Sequence, residues 1–104
     1  GYAARTAIGQ RSDGIILLLV VNSNSSRTKG ADMVDLTNIM YNYGAINAAN
    51  LDGGTSTVMV LPNKESLKYI SSCDKAYCYI NDPIDSLLRH RTRGIATSII
   101  VADK

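Results

Sequence analysis

The hydrophobic pattern at the start of the chain predicts two strands joined by a tight turn. Residues 5–9 and 15–21 read as strands, and residues 10–14 between them end in an Asp-Gly pair. That pair suits a hairpin, because glycine adopts a positive φ at little cost. Residues 15–21 are apolar throughout and show no alternation. We therefore expect the second strand to be covered on both faces, at the centre of a sheet.

A polar stretch over residues 22–30 is typical of a loop, and helical spacing of apolar residues follows it. Asp32 fits an N-cap, with Asp35 at the reciprocal position of a capping box. Gly44 stands where a left-handed residue ends many helices. The pattern predicts one long helix over about residues 32–43.

The second half of the chain predicts short segments around the turn Asp52-Gly53-Gly54, with a short second helix within residues 64–72. A strand followed by a helix and another strand permits one parallel crossover. We therefore expect a single α+β domain over residues 1–104, with a central mixed β-sheet packed by the long helix. The further strands are predicted at 45–51, 55–61, 76–80 and 95–101.

The composition is that of one globular domain, because 45% of the 104 residues are hydrophobic and 19% are charged. The formal net charge is +2, and the basic residues are scattered apart from Arg89, Arg91 and Arg93. We therefore expect no nucleic-acid partner. The longest apolar run, residues 15–21, is shorter than the roughly 20 residues that cross a bilayer, so no membrane span is expected.

Cys73 and Cys78 are the two cysteines, and His90 is the single histidine. These cannot supply the four ligands of a structural zinc site, so we predict no metal and no cofactor. The default expectation is a pair of unpaired, partly buried thiols. The alternative is a local disulfide, because Asp74 and Lys75 suggest an exposed turn that such a bond would close.

Residues 50–57 hold the most informative chemistry, because Asp52 is followed by Gly53, Gly54 and three hydroxyl residues. Such a turn exposes backbone N–H groups and suits a phosphate or a sugar. The alternative is a plain hairpin connection, which uses the same residue types. The lysine of a P-loop is missing after the glycines, which argues against nucleotide hydrolysis of that kind.

Five motifs in order resemble those of the phosphodiester glycosidase family. That family includes N-acetylglucosamine-1-phosphodiester α-N-acetylglucosaminidase and bacterial proteins associated with exopolysaccharides. The Asn-Leu-Asp-Gly-Gly block is the most specific of the five. The motifs are Arg5-Thr6-Ala7-Ile8-Gly9, residues 26–30, residues 44–59, Asn81-Asp82-Pro83 and Arg93-Gly94-Ile95-Ala96.

The resemblance implies a hydrolase that cleaves a sugar from a sugar-phosphodiester, with exopolysaccharide or a cell-surface glycan as substrate, outside the cell or in its envelope. It points to Asp52 as the catalytic carboxylate and to Arg5 and Arg93 as phosphate ligands. The alternative is a non-catalytic sugar- or phosphate-binding or structural fragment of the same fold. The remaining substrate-binding candidates are Thr6, Gly53, Gly54, Ser56, Thr57 and Asn81.

Four of the polar residues have plainer interpretations. Arg5 suits a surface ion pair with a neighbouring acid. Asn81 suits a turn former ahead of Asp82-Pro83. Asp85 and His90 are expected on the solvated surface.

The sequence departs from the family pattern at two places. Members often carry an Asp-Gly-Arg-like triplet where this chain has Asn22-Ser23-Asn24, and a Glu where it has Thr92. Members also have a substantial N-terminal half, so the chain is expected to be the C-terminal half of a larger domain. Its sheet would then leave an open edge and an apolar face, which that half or a second copy of the chain would cover.

Overall fold

The computed structural model describes residues 1–64, 72–85, 87–95 and 97–102. Within those ranges the regular secondary structure is mostly β, with two antiparallel sheets and a single α-helix of ten residues. A short 3₁₀ turn, Gly54–Ser56, separates the two sheets along the chain. The elements are β1 (Arg5–Arg11), β2 (Ile16–Val21), α1 (Met33–Asn42), β3 (Ala45–Asn50), β4 (Val60–Pro62), β5 (Ser72–Cys73) and β6 (Tyr77–Tyr79).

The first sheet has the order β2-β1-β3, with β1 antiparallel to both neighbours. The predicted hairpin joins β1 to β2, and Gly14 in its turn has a φ of +86°. Ile8 pairs with Leu18 on one side and with Ala49 on the other, so these three side chains share one face of the sheet.

The predicted α+β fold, with a long helix packed on a central mixed sheet, is wrong. Every strand pair described is antiparallel, and the second strand, β2, lies at an edge of its sheet instead of the centre. Ile16 and Leu18 are 53% and 42% exposed. An unbroken apolar run shows that a strand is hydrophobic on both faces, but not which elements cover them.

The helix α1 is capped as predicted but buries little. Asp32 accepts a hydrogen bond from the Asp35 amide at 2.8 Å, and the Asp35 carboxylate accepts one from the Asp32 amide at 3.2 Å. Leu36 and Met40 pack on Ala7 of β1 and form the core of this half. The connection through α1 passes over β1, so β2 and β3 run in the same direction without pairing.

The second sheet has the order β4-β6-β5, and the Cys73–Cys78 disulfide links β5 to β6. This bond confirms the disulfide interpretation over the unbonded thiols. The predicted strand 55–61 is largely wrong, since pairing begins only at Val60 and continues through Pro62. A proline is tolerated there because β4 is an edge strand.

Two further predictions concern the end of the chain. The described residues from 95 to 102 form no strand, contrary to the strand predicted at 95–101. The second helix predicted within 64–72 falls at residues 65–71, outside the described residues. In the described ranges, no helix has the length and apolarity to cross a bilayer.

Candidate functional site

The glycine turn, defined here as residues 52–57, is held against the first half of β1. The Gly54 amide donates to the Ala4 carbonyl at 2.9 Å, and the Leu51 amide donates to the Thr6 carbonyl at 2.8 Å. The hydroxyls of Thr6 and Thr57 lie 3.2 Å apart and hydrogen-bond to each other. Two of the sequence motifs, distant along the chain, therefore meet at this turn.

Gly53 is required by the close approach of the turn to β1. A Cβ at this position would lie 2.6 Å from the carbonyl oxygen of Ala4, which is too close for any side chain. Gly54 has a positive φ of +59° and open space around it. Gly53 is therefore needed because no side chain would fit, and Gly54 because of its backbone conformation.

Arg93 binds the glycine turn from the other side. Its Nε donates to the Thr55 hydroxyl at 2.7 Å, and Nη2 donates to the Ser56 hydroxyl at 2.5 Å. A third bond runs from Nη1 to the Gly94 carbonyl at 3.0 Å. Because a guanidinium carries five N–H groups, two have no acceptor among the described residues and are left for an anion at this exposed side chain.

Arg5 is directed away from the turn. Its Nε donates to the Ala31 carbonyl at 2.9 Å and its Nη2 to the Gly1 carbonyl at 2.6 Å. Side chains alternate along a strand, so Arg5 and Thr6 face opposite sides of β1. The structure therefore brings Thr6 and Arg93 to the turn, and it uses Arg5 to hold the segments around Ala31.

Asp52 stands exposed at the start of the turn. Within the described residues its carboxylate makes no hydrogen bond or ion pair, and the N–H groups of Asp52 and Gly53 donate to no acceptor. The turn therefore presents one carboxylate and two backbone donors to solvent. Donors of this kind bind anions.

Asn81 holds the segment that leaves the turn. Its Oδ1 accepts from the Met59 amide at 2.8 Å, and its Nδ2 donates to the Thr57 carbonyl at 2.9 Å. The residue is only 8% exposed. Both ends of the amide are therefore used to position the chain beside Thr57.

A second polar cluster, which sequence reasoning missed, lies around Asp82. His90 Nδ1 is 2.8 Å from Asp82 Oδ2 and 2.9 Å from Oδ1. Asn24 Nδ2 donates to Asp82 Oδ2 at 2.9 Å, and Asn22 Oδ1 accepts from the Asp82 amide at 2.9 Å. The Asn-Asp-Pro motif could have suggested a polar cluster around Asp82. Its partners could not be predicted, because the contacts with Asn24 and Asn22 span 58 and 60 residues along the chain.

The Asp82–His90 pair lines an open cleft of about 540 Å³. Its wall runs along the end of β6 and the loop that carries the arginines. The residues that line it include Tyr79, Asn81, Asp82, His90, Arg91 and Thr92.

The expectation that Asp85 lies on the solvated surface is wrong, since the residue is 4% exposed. Its carboxylate accepts bonds from the amides of Leu87 and Arg89, and from Nε of Arg89 and Arg91 at 2.8 and 2.5 Å. Burial raises the pKa of Asp85, but these hydrogen bonds outweigh it and hold the pKa well below its usual range. Asp85 thus organises the loop that carries His90.

Metal ligands do not gather at either place. Across the described ranges, no three residues among His, Cys, Asp and Glu are grouped closely enough to hold a metal ion. The cationic and N–H groups at the turn and in the cleft are suited to an anion instead.

The sequence matches the phosphodiester glycosidase family over residues 1–102. It is also similar to the SPbeta prophage-derived uncharacterized protein YomE of Bacillus subtilis (strain 168), with 33% identity over 103 residues. That similarity covers 91% of this chain and 16% of the relative, so the chain spans a small part of the relative's length. No solved structure matches the chain. Because the family match covers nearly every residue, the chain belongs to the phosphodiester glycosidase family, as its five motifs predicted.

Proposed function

We propose that the chain forms part of a hydrolase that releases a sugar from a sugar-phosphodiester and leaves a phosphomonoester. The observation that carries the proposal is the position of Arg93, whose guanidinium binds the hydroxyls of Thr55 and Ser56 on the glycine turn. A forked cation thereby stands beside the most specific motif of the sequence. Family membership supports this class of reaction and a glycan substrate.

The main requirement of this reaction is stabilisation of the negative charge that develops on the phosphate. As the sugar–oxygen bond breaks, charge accumulates on the phosphate, and fixed donors directed at it lower the barrier. The two remaining N–H groups of Arg93 and the free amides of Asp52 and Gly53 are such donors. Thr55 and Ser56 orient the guanidinium.

Asp52 is proposed to stabilise the sugar. The transition state of glycoside cleavage carries positive charge near the anomeric carbon, and a carboxylate beside it is stabilising. Asp52 is exposed and has no partner among the described residues, so a bound sugar can approach it. Thr6 and Thr57 lie behind the turn and hold it on β1.

A non-catalytic binding module is the second candidate, and the departures from the family pattern favour it. Asn22 and Asn24 occupy the place of the charged triplet, and both are engaged with Asp82. Thr92 occupies the place of the Glu. A turn that lacks these charges would still bind a phosphate or a sugar.

The test is hydrolysis of a sugar-1-(methyl phosphate) diester, followed by ³¹P NMR, which separates the diester from methyl phosphate. We expect Arg93→Gln to lower the rate by about 100-fold or more, as expected for loss of a transition-state donor, and Asp52→Ala to lower it as well. Matched controls are Arg11→Gln and Asp13→Ala, an exposed ion pair in the β1–β2 hairpin. An intact protein that binds methyl phosphate but never releases it from the diester would establish the binding module.

A further inference from the structure

We infer that His90, held by Asp82, takes the proton from the water that attacks the sugar. The inference rests on the proposed function and assigns its proton transfer to a pair outside the glycine turn. The imidazole Nδ1 lies 2.8 Å from Asp82 Oδ2, and both residues line the cleft.

The hydrogen bonds of Asp82 fix the form of the imidazole. A carboxylate that accepts from Nδ1–H leaves Nε2 as the ring's acceptor, which is the arrangement a general base needs. Nε2 has no hydrogen-bond partner among the described residues. Asp82 is itself held by Asn24 and, through its backbone, by Asn22, so the pair is braced from the loop after β2.

The surroundings of His90 suit a phosphate-bearing substrate. Arg91 lines the same cleft, and within the described ranges only its Nε is used among the side-chain N–H groups, as a donor to Asp85. Its four other N–H groups are therefore left for an anion. Asp85 accepts hydrogen bonds from the backbone amide of Arg89 and from the side-chain Nε of Arg91, the two residues that flank His90.

The cleft and the glycine turn share a contact with the side chain of Asn81. Asn81 lines the cleft and also bonds the backbone of Thr57 and Met59. Arg93, which binds the turn, follows His90 by three positions. In the proposed arrangement one substrate extends from the base on the cleft side to the donors on the turn side.

The proposed reaction requires a base to activate the water more than it requires an acid to protonate the leaving group. A phosphomonoester has a second pKa of about 6 and so departs readily as an anion without being protonated. Water, in contrast, is a weak nucleophile until a base removes one of its protons. In the proposed step its oxygen bonds to the anomeric carbon while the bond from that carbon to the phosphate oxygen breaks, and the electron pair leaves with the phosphate. One water proton moves to Nε2 of His90 and the other stays in the new sugar hydroxyl. The imidazolium then loses its proton to solvent.

The test compares His90→Gln with the wild type on the sugar-1-(methyl phosphate) diester. Glutamine can still donate to Asp82 but cannot accept the proton, so we expect kcat to fall by about 100-fold or more. Binding of methyl phosphate, followed by ³¹P NMR, should change by less than twofold. The melting temperature of the variant checks that it is folded.

The pH profile separates a catalytic from a structural role. Wild-type kcat should fall on the acid side, because the proposed base must be unprotonated, and the residual rate of His90→Gln should lack that limb. Asp82→Asn should also lower kcat, because the imidazole then loses the carboxylate that fixes its tautomer. Asp13→Asn, at the exposed hairpin, is the matched control. The other ionisable groups that line the cleft are Tyr79 and Arg91.

Three results are decisive. Loss of turnover with retained methyl phosphate binding in His90→Gln supports the inference. Wild-type turnover in His90→Gln, together with inactive Arg93→Gln, overturns it and leaves the proposed function standing. A wild-type full-length protein that contains this chain and does not cleave the diester overturns both.

Discussion

The carbonyl oxygen of Ala4 accepts the amide hydrogen of Gly54 at 2.9 Å, and the same oxygen would lie 2.6 Å from any Cβ placed on Gly53. The Ala4 carbonyl oxygen therefore binds the glycine turn and also leaves no space for a side chain at position 53. The most specific motif of the sequence is thus explained by packing between two backbones as well as by chemistry.

Gly53→Ala should displace the turn from β1. Insertion of a methyl group into a contact this tight costs about 1–3 kcal/mol in the free energy of unfolding. Urea denaturation measures that loss. Gly94→Ala is the control, because nothing lies within 4 Å of a Cβ there. Equal stability of the two variants would show that the turn can move off Ala4 without cost.

Asn81→Ala should destabilise the protein by about 2 kcal/mol or more, because the Met59 amide and the Thr57 carbonyl would each lose a partner at a buried place. Asn47→Ala, which removes the same amide from an exposed position on β3, should change the free energy of unfolding by less than about 0.5 kcal/mol. Thermal melts of the pair make the comparison. An unchanged melting temperature for Asn81→Ala would refute the role given to this side chain.

Reduction of the Cys73–Cys78 disulfide should lower stability. A cross-link that closes so short a loop contributes about 2 kcal/mol in the chain-entropy estimate. Urea unfolding with and without a phosphine reductant measures the difference. The double variant Cys73→Ser/Cys78→Ser should unfold at the same urea concentration in both conditions, and a response to reductant there would point to another cause.

Asp85 should make the protein sensitive to acid. The pKa of this carboxyl is lowered in the folded state, so its stabilising effect is complete above the unfolded pKa of about 4 and is lost as the pH falls below that value. Asp85→Asn should therefore be less stable than the wild type at pH 7, with a gap that narrows toward pH 2. Urea midpoints across that range provide the measurement, and a gap that stays constant would contradict the assignment.

Features that depend on neighbouring residues could be read from the sequence. The capping box of Asp32 and Asp35 and the hairpin turn at Gly14 both form as predicted, because their hydrogen bonds join residues only a few positions apart. The order of the motifs identified the family for a similar reason, since motif residues are recognised one position at a time.

The position of the strands within the sheets could not be predicted in this way. Residues 15–21 look like a central strand because they are apolar on both faces, yet β2 is an edge strand with an exposed face. Which strand stands beside which is settled by pairings between distant segments, such as Ile8 with Ala49. Apolar periodicity contains no information on those pairings.

The amino-acid sequence alone determined the family, the glycine turn and the local caps, because each depends on short stretches of residue types and their backbone preferences. Only the tertiary structure decided that Arg93 binds the turn while Arg5 faces away from it, that Asp85 is buried, and that Asp82 meets His90. The reason is physical: the direction of a side chain depends on strand register and on contacts with remote segments, which arise only when the chain is folded.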